Sequence, residues 1–187
     1  MPDRRIFFLR HCKTSFNRDR IISGQLDTFT ILNNTNILTG LEQLQETNEI
    51  LIISSPLKRC VDTVGVLTQS LGHAAIACRV ELFCELKERN FGRFQGLEKS
   101  IVIRRYPGYF VNNSFNIHLT PPDGESFNMI SERIRAVIKY IESASCNTLV
   151  ICSHNHFLKL LYCALKGFPY TSTVDFGFKG GELVKVL

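Results

Sequence analysis

Short runs of consecutive apolar residues alternate along this chain with longer stretches in which apolar residues recur every three or four positions. Residues 5–9, 50–53, 75–80 and 148–152 are the strand candidates, containing the apolar runs Ile6-Phe7-Phe8-Leu9, Ile50-Leu51-Ile52-Ile53 and Leu149-Val150-Ile151-Cys152, with Arg79 interrupting 75–80. Runs this short suit strands. Leu57, Val61, Val64, Leu67 and Leu71 fall on one helical stripe, as do Phe127, Ile130, Ile134, Val137, Ile138 and Ile141. Such stripes are core-facing. Ser55-Pro56 supplies a cap residue and a first-turn proline to the earlier helix, and Gly72 ends it. Shorter helices are expected over residues 41–48 and from about 157 to 165. Residues 104–122 read as an irregular surface excursion, and short terminal strands are expected near 172–174 and 182–186.

Strands alternating with helices predict an α/β sandwich with a mostly parallel sheet, and 187 residues suit a single domain over 1–187. In such sheets ligands bind beyond the carboxyl ends of the strands. Polar candidates should therefore follow apolar runs. Arg10 and His11 follow the first run, Ser54 to Arg59 the second, and Ser153 and His154 the last.

Composition narrows the function classes. No apolar run reaches the length of a membrane helix, and the four-residue run near the start is too short for a secretory core. A cytoplasmic protein is expected. The seven cysteines form no C-x-x-C pair, and buried reduced thiols are the expected state, as at Cys152 and Cys163. The net charge of +5 comes from scattered residues without aromatic interleaving. That gives no support to nucleic-acid binding and suits a small anionic substrate.

Two histidines and two arginines at strand ends, with an acid at Glu88, suit a phosphoryl group. Guanidinium forks match its oxygens, and imidazole adds a donor. A neutral imidazole can attack phosphorus to give a covalent phosphohistidine. The departing alkoxide then needs a proton, which a carboxylic acid of raised pKa can supply.

These residues lie in four of six motifs met in sequence order. Arg10-His11-Cys12-Lys13-Thr14-Ser15-Phe16-Asn17 is similar to R-H-G-x-T-x-x-N, with Cys12 in place of glycine. Ile22-Ser23-Gly24-Gln25-Leu26-Asp27 follows. Ser55-Pro56-Leu57-Lys58-Arg59-Cys60-Val61-Asp62-Thr63 matches S-x-L-x-R-x-x-x-T, and Leu86 to Gly96 matches L-x-E-x-x-F-G-x-x-x-G around Glu88. Pro121-Pro122-Asp123-Gly124-Glu125-Ser126 and Ser153-His154 complete the set. The chain thereby resembles the histidine phosphatase, or phosphoglycerate mutase-like, superfamily over residues 5 to about 165. The resemblance implies a three-layer α/β/α sandwich and a metal-free, cofactor-free reaction on a small phosphorylated metabolite. It implies His11 as nucleophile, Glu88 as proton donor and then base, and Arg10, Arg59 and His154 as ligands of the phosphoryl oxygens. Asn17, Ser23 and the backbone N–H of Asn155 are implied supporting donors. Glu125 and Ser126 read as a helix start. Cys12 and Asn155 stand where glycine is usual.

Other readings compete. His11-Cys12-x5-Arg18 also spells the signature of cysteine-dependent phosphatases. That loop cradles phosphate with successive backbone N–H groups and usually needs glycines, which residues 13–17 lack. It also leaves Arg59, Glu88 and His154 unused. A mutase could use the same five residues. The short stretch between Glu88 and His154, and Phe91 where mutases tend to carry tyrosine, favour a phosphatase, whereas Lys99 is placed as in mutases. A non-catalytic ligand-binding module would be expected to have lost one of the five. Substrate choice is expected to lie in residues 28–39 and 104–122, where Tyr109, Phe110 and Phe115 read as ordinary loop packing, with an apolar pocket wall as the alternative.

Overall fold

A computed structural model describes residues 4–31, 38–44 and 47–187. Strand β1 (Arg5–Arg10) leads to one helical turn, α1 (Ser15–Arg18). Strand β2 (Glu49–Ser54) is followed by α2 (Lys58–His73) and β3 (Ala77–Leu82). Next come α3 (Lys99–Arg105) and a small hairpin, β4 (Phe110–Val111) and β5 (Ser114–Phe115). Helix α4 (Phe127–Ser143), β6 (Thr148–Ser153), α5 (Asn155–Lys166) and β7 (Leu183–Lys185) follow.

Five strands form one sheet in the order β3-β2-β6-β1-β7. The first four are mutually parallel, and β7 runs antiparallel to β1. The continuous apolar runs of β1, β2 and β6 are explained by cover on both faces. Ile6, Phe8, Leu51, Ile53, Leu149 and Ile151 pack against α4 and α5. Their neighbours Phe7, Leu9, Ile50, Ile52, Val150 and Cys152 pack against α2. The result is the expected three-layer α/β/α sandwich with a mostly parallel sheet. Among the described residues no helix is long and apolar enough to cross a membrane.

Register decides where the chemistry falls. Arg10 pairs with Ser153 and Ser54 with Cys152, so the three central strands end level with one another. The ladder extends one step further: the His11 N–H donates to the Ser153 carbonyl at 3.0 Å and the Ser55 N–H to the Cys152 carbonyl at 3.0 Å. Three chain segments distant in sequence are thus held at one sheet edge by backbone bonds alone.

Several boundaries differ from the sequence expectations. Helix α2 starts at Lys58, not at Ser55, because Pro56 and Leu57 remain outside the helix, with Leu57 as its cap. Strand β3 lies two residues later than residues 75–80, since Ala75 adopts a left-handed turn (φ 55°) after the end of α2. Helix α5 begins two residues before 157, with His154 as its N-cap. Residues 170–174 form a 3-10 turn behind Pro169, not a strand. The expected terminal strand over 182–186 is present as β7. The expected helix at 41–48 is a 3-10 turn at Leu41–Leu44, and residues 45–46 lie outside the described residues.

The excursion at 104–122 is more ordered than expected. It opens on the last turn of α3 and holds the β4–β5 hairpin, whose Asn112 and Asn113 have φ of 47° and 60°. Two successive left-handed residues are what a tight two-residue hairpin requires, and asparagine tolerates them. Phe94, Val102 and Phe115 form a small separate core beside the hairpin, with Tyr109 and Phe110 packed against it. The loop packing expected of Tyr109, Phe110 and Phe115 is what the structure shows, and Phe110 and Phe115 also line a cavity.

Candidate active site

His11 is buried, and its Nδ1 lies 2.7 Å from the Cys12 carbonyl. A carbonyl can only accept, so Nδ1 carries the proton and Nε2 keeps its lone pair. Burial, with Arg59 and then Arg10 adding positive charge nearby, holds the imidazole pKa down at about 3. His11 is thus a neutral base with a defined tautomer. Thr63, which ends the arginine-bearing motif, accepts the Cys12 N–H at 2.8 Å and so fixes the backbone after His11. Gly180 approaches from the other side: a Cβ there would lie 2.9 Å from the His11 carbonyl.

Arg10 donates from Nη1 to the Phe178 carbonyl at 2.8 Å, while its Nε is buried without a partner. Arg59 is buried to 1% exposure. It donates from Nη1 to the Leu26 carbonyl at 2.8 Å, from Nη2 to the Gly24 carbonyl at 2.6 Å, and from Nε to His154 Nδ1 at 3.1 Å. Three of its five N–H groups are used, and two remain. Because His154 Nδ1 accepts from Arg59, the neutral ring carries its proton on Nε2, which donates to Ser55 Oγ at 2.9 Å. Burial keeps His154 well below its ordinary pKa, with Arg59 and His11 adding to the effect. In this arrangement His154 orients Arg59. Direct contact with a phosphoryl oxygen requires its Nε2–H to leave Ser55.

Glu88 sits at the start of α5. Its Oε1 accepts from the Arg89 and Phe157 N–H groups at 2.9 and 3.1 Å, and its Oε2 from the His156 N–H at 3.2 Å. A helix leaves its first N–H groups without internal partners, and the Glu88 carboxylate takes two of them. Burial raises its pKa, against the opposing pull of those N–H groups and of Arg59. A phosphate dianion arriving beside it would raise the pKa further.

The acid-bearing loop is tied down by groups that sequence motifs alone did not connect. Gly92 (φ 51°) packs so closely on residues 122–124 that a Cβ would lie 2.0 Å from the Pro122 carbonyl. This stitches the glycine of the Glu88 motif to the Pro-Pro box. Ser126 caps α4, accepting the Met129 N–H at 3.2 Å, as the helix-start reading expected. Glu125 is buried and pairs with Arg133 through two bonds, Nε–Oε1 and Nη2–Oε2, each 2.7 Å. Arg133 Nη1 also donates to the Lys87 carbonyl at 2.7 Å, next to Glu88. Removing Arg133 strands a buried carboxylate and frees the loop. Arg133→Ala is expected to cost about 3 kcal/mol of stability, read as a lowered midpoint in urea with unchanged slope.

The supporting residues fall in different places. Asn17 lines the same cavity as Arg10, and its side chain also closes a capping box with Thr14. Ser23 lies between Ile22, which lines a cavity, and Gly24, which receives Arg59. The Asn155 side chain accepts the Phe178 N–H at 3.0 Å. Asn155 and Arg10 therefore hold Phe178 by its N–H and its carbonyl, a C-terminal contact that no motif announced. Residues 32–37 of the expected specificity loop lie outside the described residues.

Cys12 is buried at 2% exposure and its thiol pKa is raised, chiefly by burial. A reactive thiolate needs the opposite. Cys60, Cys146, Cys152 and Cys163 are also buried free thiols, whereas Cys78 and Cys84 are exposed.

A buried imidazole with a free Nε2, two guanidinium groups and a carboxyl of raised pKa meet at one sheet edge, a set with the chemistry to bind and transfer a phosphoryl group. The family model described as the histidine phosphatase superfamily (branch 1) matches residues 6–186. The chain belongs to that superfamily. A glucosyl-3-phosphoglycerate phosphatase of Mycolicibacterium vanbaalenii is 27% identical over 178 residues, covering 90% of this chain and 77% of the relative. A probable phosphoglycerate mutase of Salmonella arizonae is 26% identical over 174 residues, covering 88% and 75%. Among solved structures, a mycobacterial glucosyl-3-phosphoglycerate phosphatase in complex with VO3 is similar, with a TM-score of 0.78 and 25% identity over 97% of this chain and 92% of that one.

Proposed function

We propose that the protein hydrolyses phosphomonoesters through a phosphohistidine on His11, with Glu88 as general acid and then general base. The observation that carries the reading is the protonation pattern: His11 is neutral with Nε2 free, and Glu88 is a buried carboxyl of raised pKa. Nε2 attacks phosphorus, and the bond to the ester oxygen breaks. Glu88 passes its proton to the departing alkoxide. The resulting carboxylate then takes a proton from water as that water attacks the phosphohistidine, which frees phosphate and restores His11. Arg10, with its unpartnered Nε, and the two remaining N–H groups of Arg59 supply donors for the phosphoryl oxygens. The Asn155 N–H in the first turn of α5 is a further donor, since Glu88 occupies only the next two. Asn17 and Ser23 stand at the edge of this grip. His154 acts through Arg59 and joins the phosphate when its bond to Ser55 is exchanged.

The phosphatase relatives support hydrolysis, and a small phosphorylated metabolite as the substrate class. Buried free thiols support placing the protein in a reducing compartment such as the cytoplasm. One core on each sheet face supports a single domain over 1–187.

The test is a pH–rate profile for an alkyl phosphomonoester. His11 stays neutral down to about pH 3, so its protonation limits the rate only in strong acid. Glu88 must hold its proton to act as acid. kcat/KM is therefore expected to stand on a mildly acidic plateau and to fall as pH rises through the Glu88 pKa. A rate that climbs steadily into alkaline solution would contradict the assignment.

A further inference from the structure

We infer that the aromatic cavity beside the C-terminal segment that anchors Arg10 is a second ligand site, for a zwitterion with an aromatic arm such as an aromatic α-amino acid, and that its occupancy is coupled to phosphate binding through Phe178. The site goes beyond the phosphatase reading; the coupling alone rests on it.

The cavity has a volume of about 510 Å³ and is lined by Tyr162, Phe168, Phe176 and Phe178, with Asp175 and Lys185. Pockets of about 300–1,000 Å³ suit one small molecule. Gly167 ends α5 in a left-handed turn (φ 69°), and the 3-10 turn over Tyr170–Val174 then packs back on that helix. Rings before and after the turn thereby meet. Tyr162 contacts Phe176 at 5.2 Å between centroids and 63°, and Phe176 contacts Phe178 at 6.0 Å and 90°. Rings at such steep angles offer both faces and edges, which are the contacts an aromatic guest prefers. Phe168 at the rim is 49% exposed, so this apolar surface is open to a ligand.

Charge selects the guest. Asp175 and Lys185 carry opposite charges, yet among the described residues neither forms an ion pair, with the other or with a third residue. An ammonium and a carboxylate on one small molecule supply both partners. A simple organic cation fits less well, because the Lys159 ammonium already lies over the Phe176 ring, 5.7 Å from its centroid. Lys159 and Lys185 would repel such a cation, and Asp175 would repel a simple anion.

Phe178 joins the cavity to the chemistry. Its ring lines the cavity and packs edge-on against Phe8, 5.5 Å between centroids. Its carbonyl accepts from Arg10 Nη1 at 2.8 Å, and its N–H donates to Asn155 Oδ1 at 3.0 Å. Further along, the Gly181 N–H donates to the Arg10 carbonyl at 2.9 Å. A guest that fixes the Phe178 ring also fixes the anchor of a phosphate-binding guanidinium. Part of the ordering that phosphate must otherwise impose is then already done. Coupling of this kind is reciprocal.

The protein contains no tryptophan, so L-tryptophan serves as ligand and fluorescent probe together. It is expected to bind saturably with Kd below about 1 mM. It should bind about fivefold tighter than tryptamine, which lacks the carboxylate, or indole-3-propionate, which lacks the ammonium. Asp175→Asn should remove the advantage over indole-3-propionate, and Lys185→Gln the advantage over tryptamine. Both side chains are exposed, so both variants should fold. Saturating inorganic phosphate should tighten tryptophan binding about fivefold, and saturating tryptophan should lower the inhibition constant of phosphate against p-nitrophenyl phosphate by the same factor. Failure of tryptophan to bind, or equal affinity for all three ligands, would overturn the site. A tryptophan affinity indifferent to phosphate would overturn the coupling. Tryptophan binding without any turnover of p-nitrophenyl phosphate would instead overturn the phosphatase reading and leave the site standing.

Discussion

His11→Ala is expected to lower kcat for p-nitrophenyl phosphate by about 10⁴-fold or more, because the variant loses the atom that accepts the phosphoryl group. The fold should survive. His11 makes one short local side-chain bond, to the Cys12 carbonyl, while the backbone there is held by Ser153 and Thr63. KM should change far less than kcat, since Arg10 and Arg59 remain to bind the phosphoryl oxygens. Steady-state kinetics with a thermal melt of the same preparation separates loss of chemistry from loss of structure. A variant that retains a tenth of the wild-type kcat would remove His11 from the role of nucleophile.

The second large effect depends on the leaving group. Glu88→Gln keeps the shape of the side chain and an oxygen for the N–H groups at the start of α5. It removes the transferable proton. For an alkyl phosphate, whose alkoxide is a poor leaving group, kcat is expected to drop about 10²- to 10⁴-fold. For p-nitrophenyl phosphate, whose phenolate leaves without a proton, formation of the phosphohistidine should be far less impaired. Single-turnover rates on the two esters, measured side by side, test this. An equal loss in that first step on both would show that Glu88 acts as a helix cap and not as an acid. The two roles share one carboxyl because α5 starts at the edge of the sheet where the substrate must bind.

Much of this arrangement was legible in the sequence, for identifiable reasons. β1, β2 and β6 announce themselves because each is covered on both faces and so is apolar at every step. Arg10, His11, Arg59 and His154 announce themselves because they stand at or just after the ends of those strands, whereas Glu88 is marked only by its motif. Other features left no such mark. Phe178 supports Arg10 through its carbonyl and Asn155 through its N–H, and a backbone partner has no characteristic side chain. Helix α3 has only seven residues and buries one of them, Val102, so its periodicity is too short to read. The hairpin after it was detectable in principle from Asn112-Asn113, a pair suited to left-handed turn positions. Ser55 was present in a motif, but its part in fixing the His154 tautomer needs geometry. Lys159 lies in none of the motifs, and its burial with the ammonium over the Phe176 ring is seen only in the fold.

The neighbouring Cys12 sharpens the central question, because His11 and Cys12 are the two nucleophiles that the same stretch offers. Burial has settled their protonation in opposite senses: the imidazole is kept neutral and nucleophilic, and the thiol is kept protonated. The most direct test is to quench the protein during turnover of a phosphorus-labelled substrate under alkaline conditions and map the labelled peptide by mass spectrometry. The expected result is an acid-labile, base-stable phosphoryl group on His11, present in Cys12→Ala and absent in His11→Ala. A phosphoryl group found on Cys12, or turnover with no covalent label on His11, would contradict it.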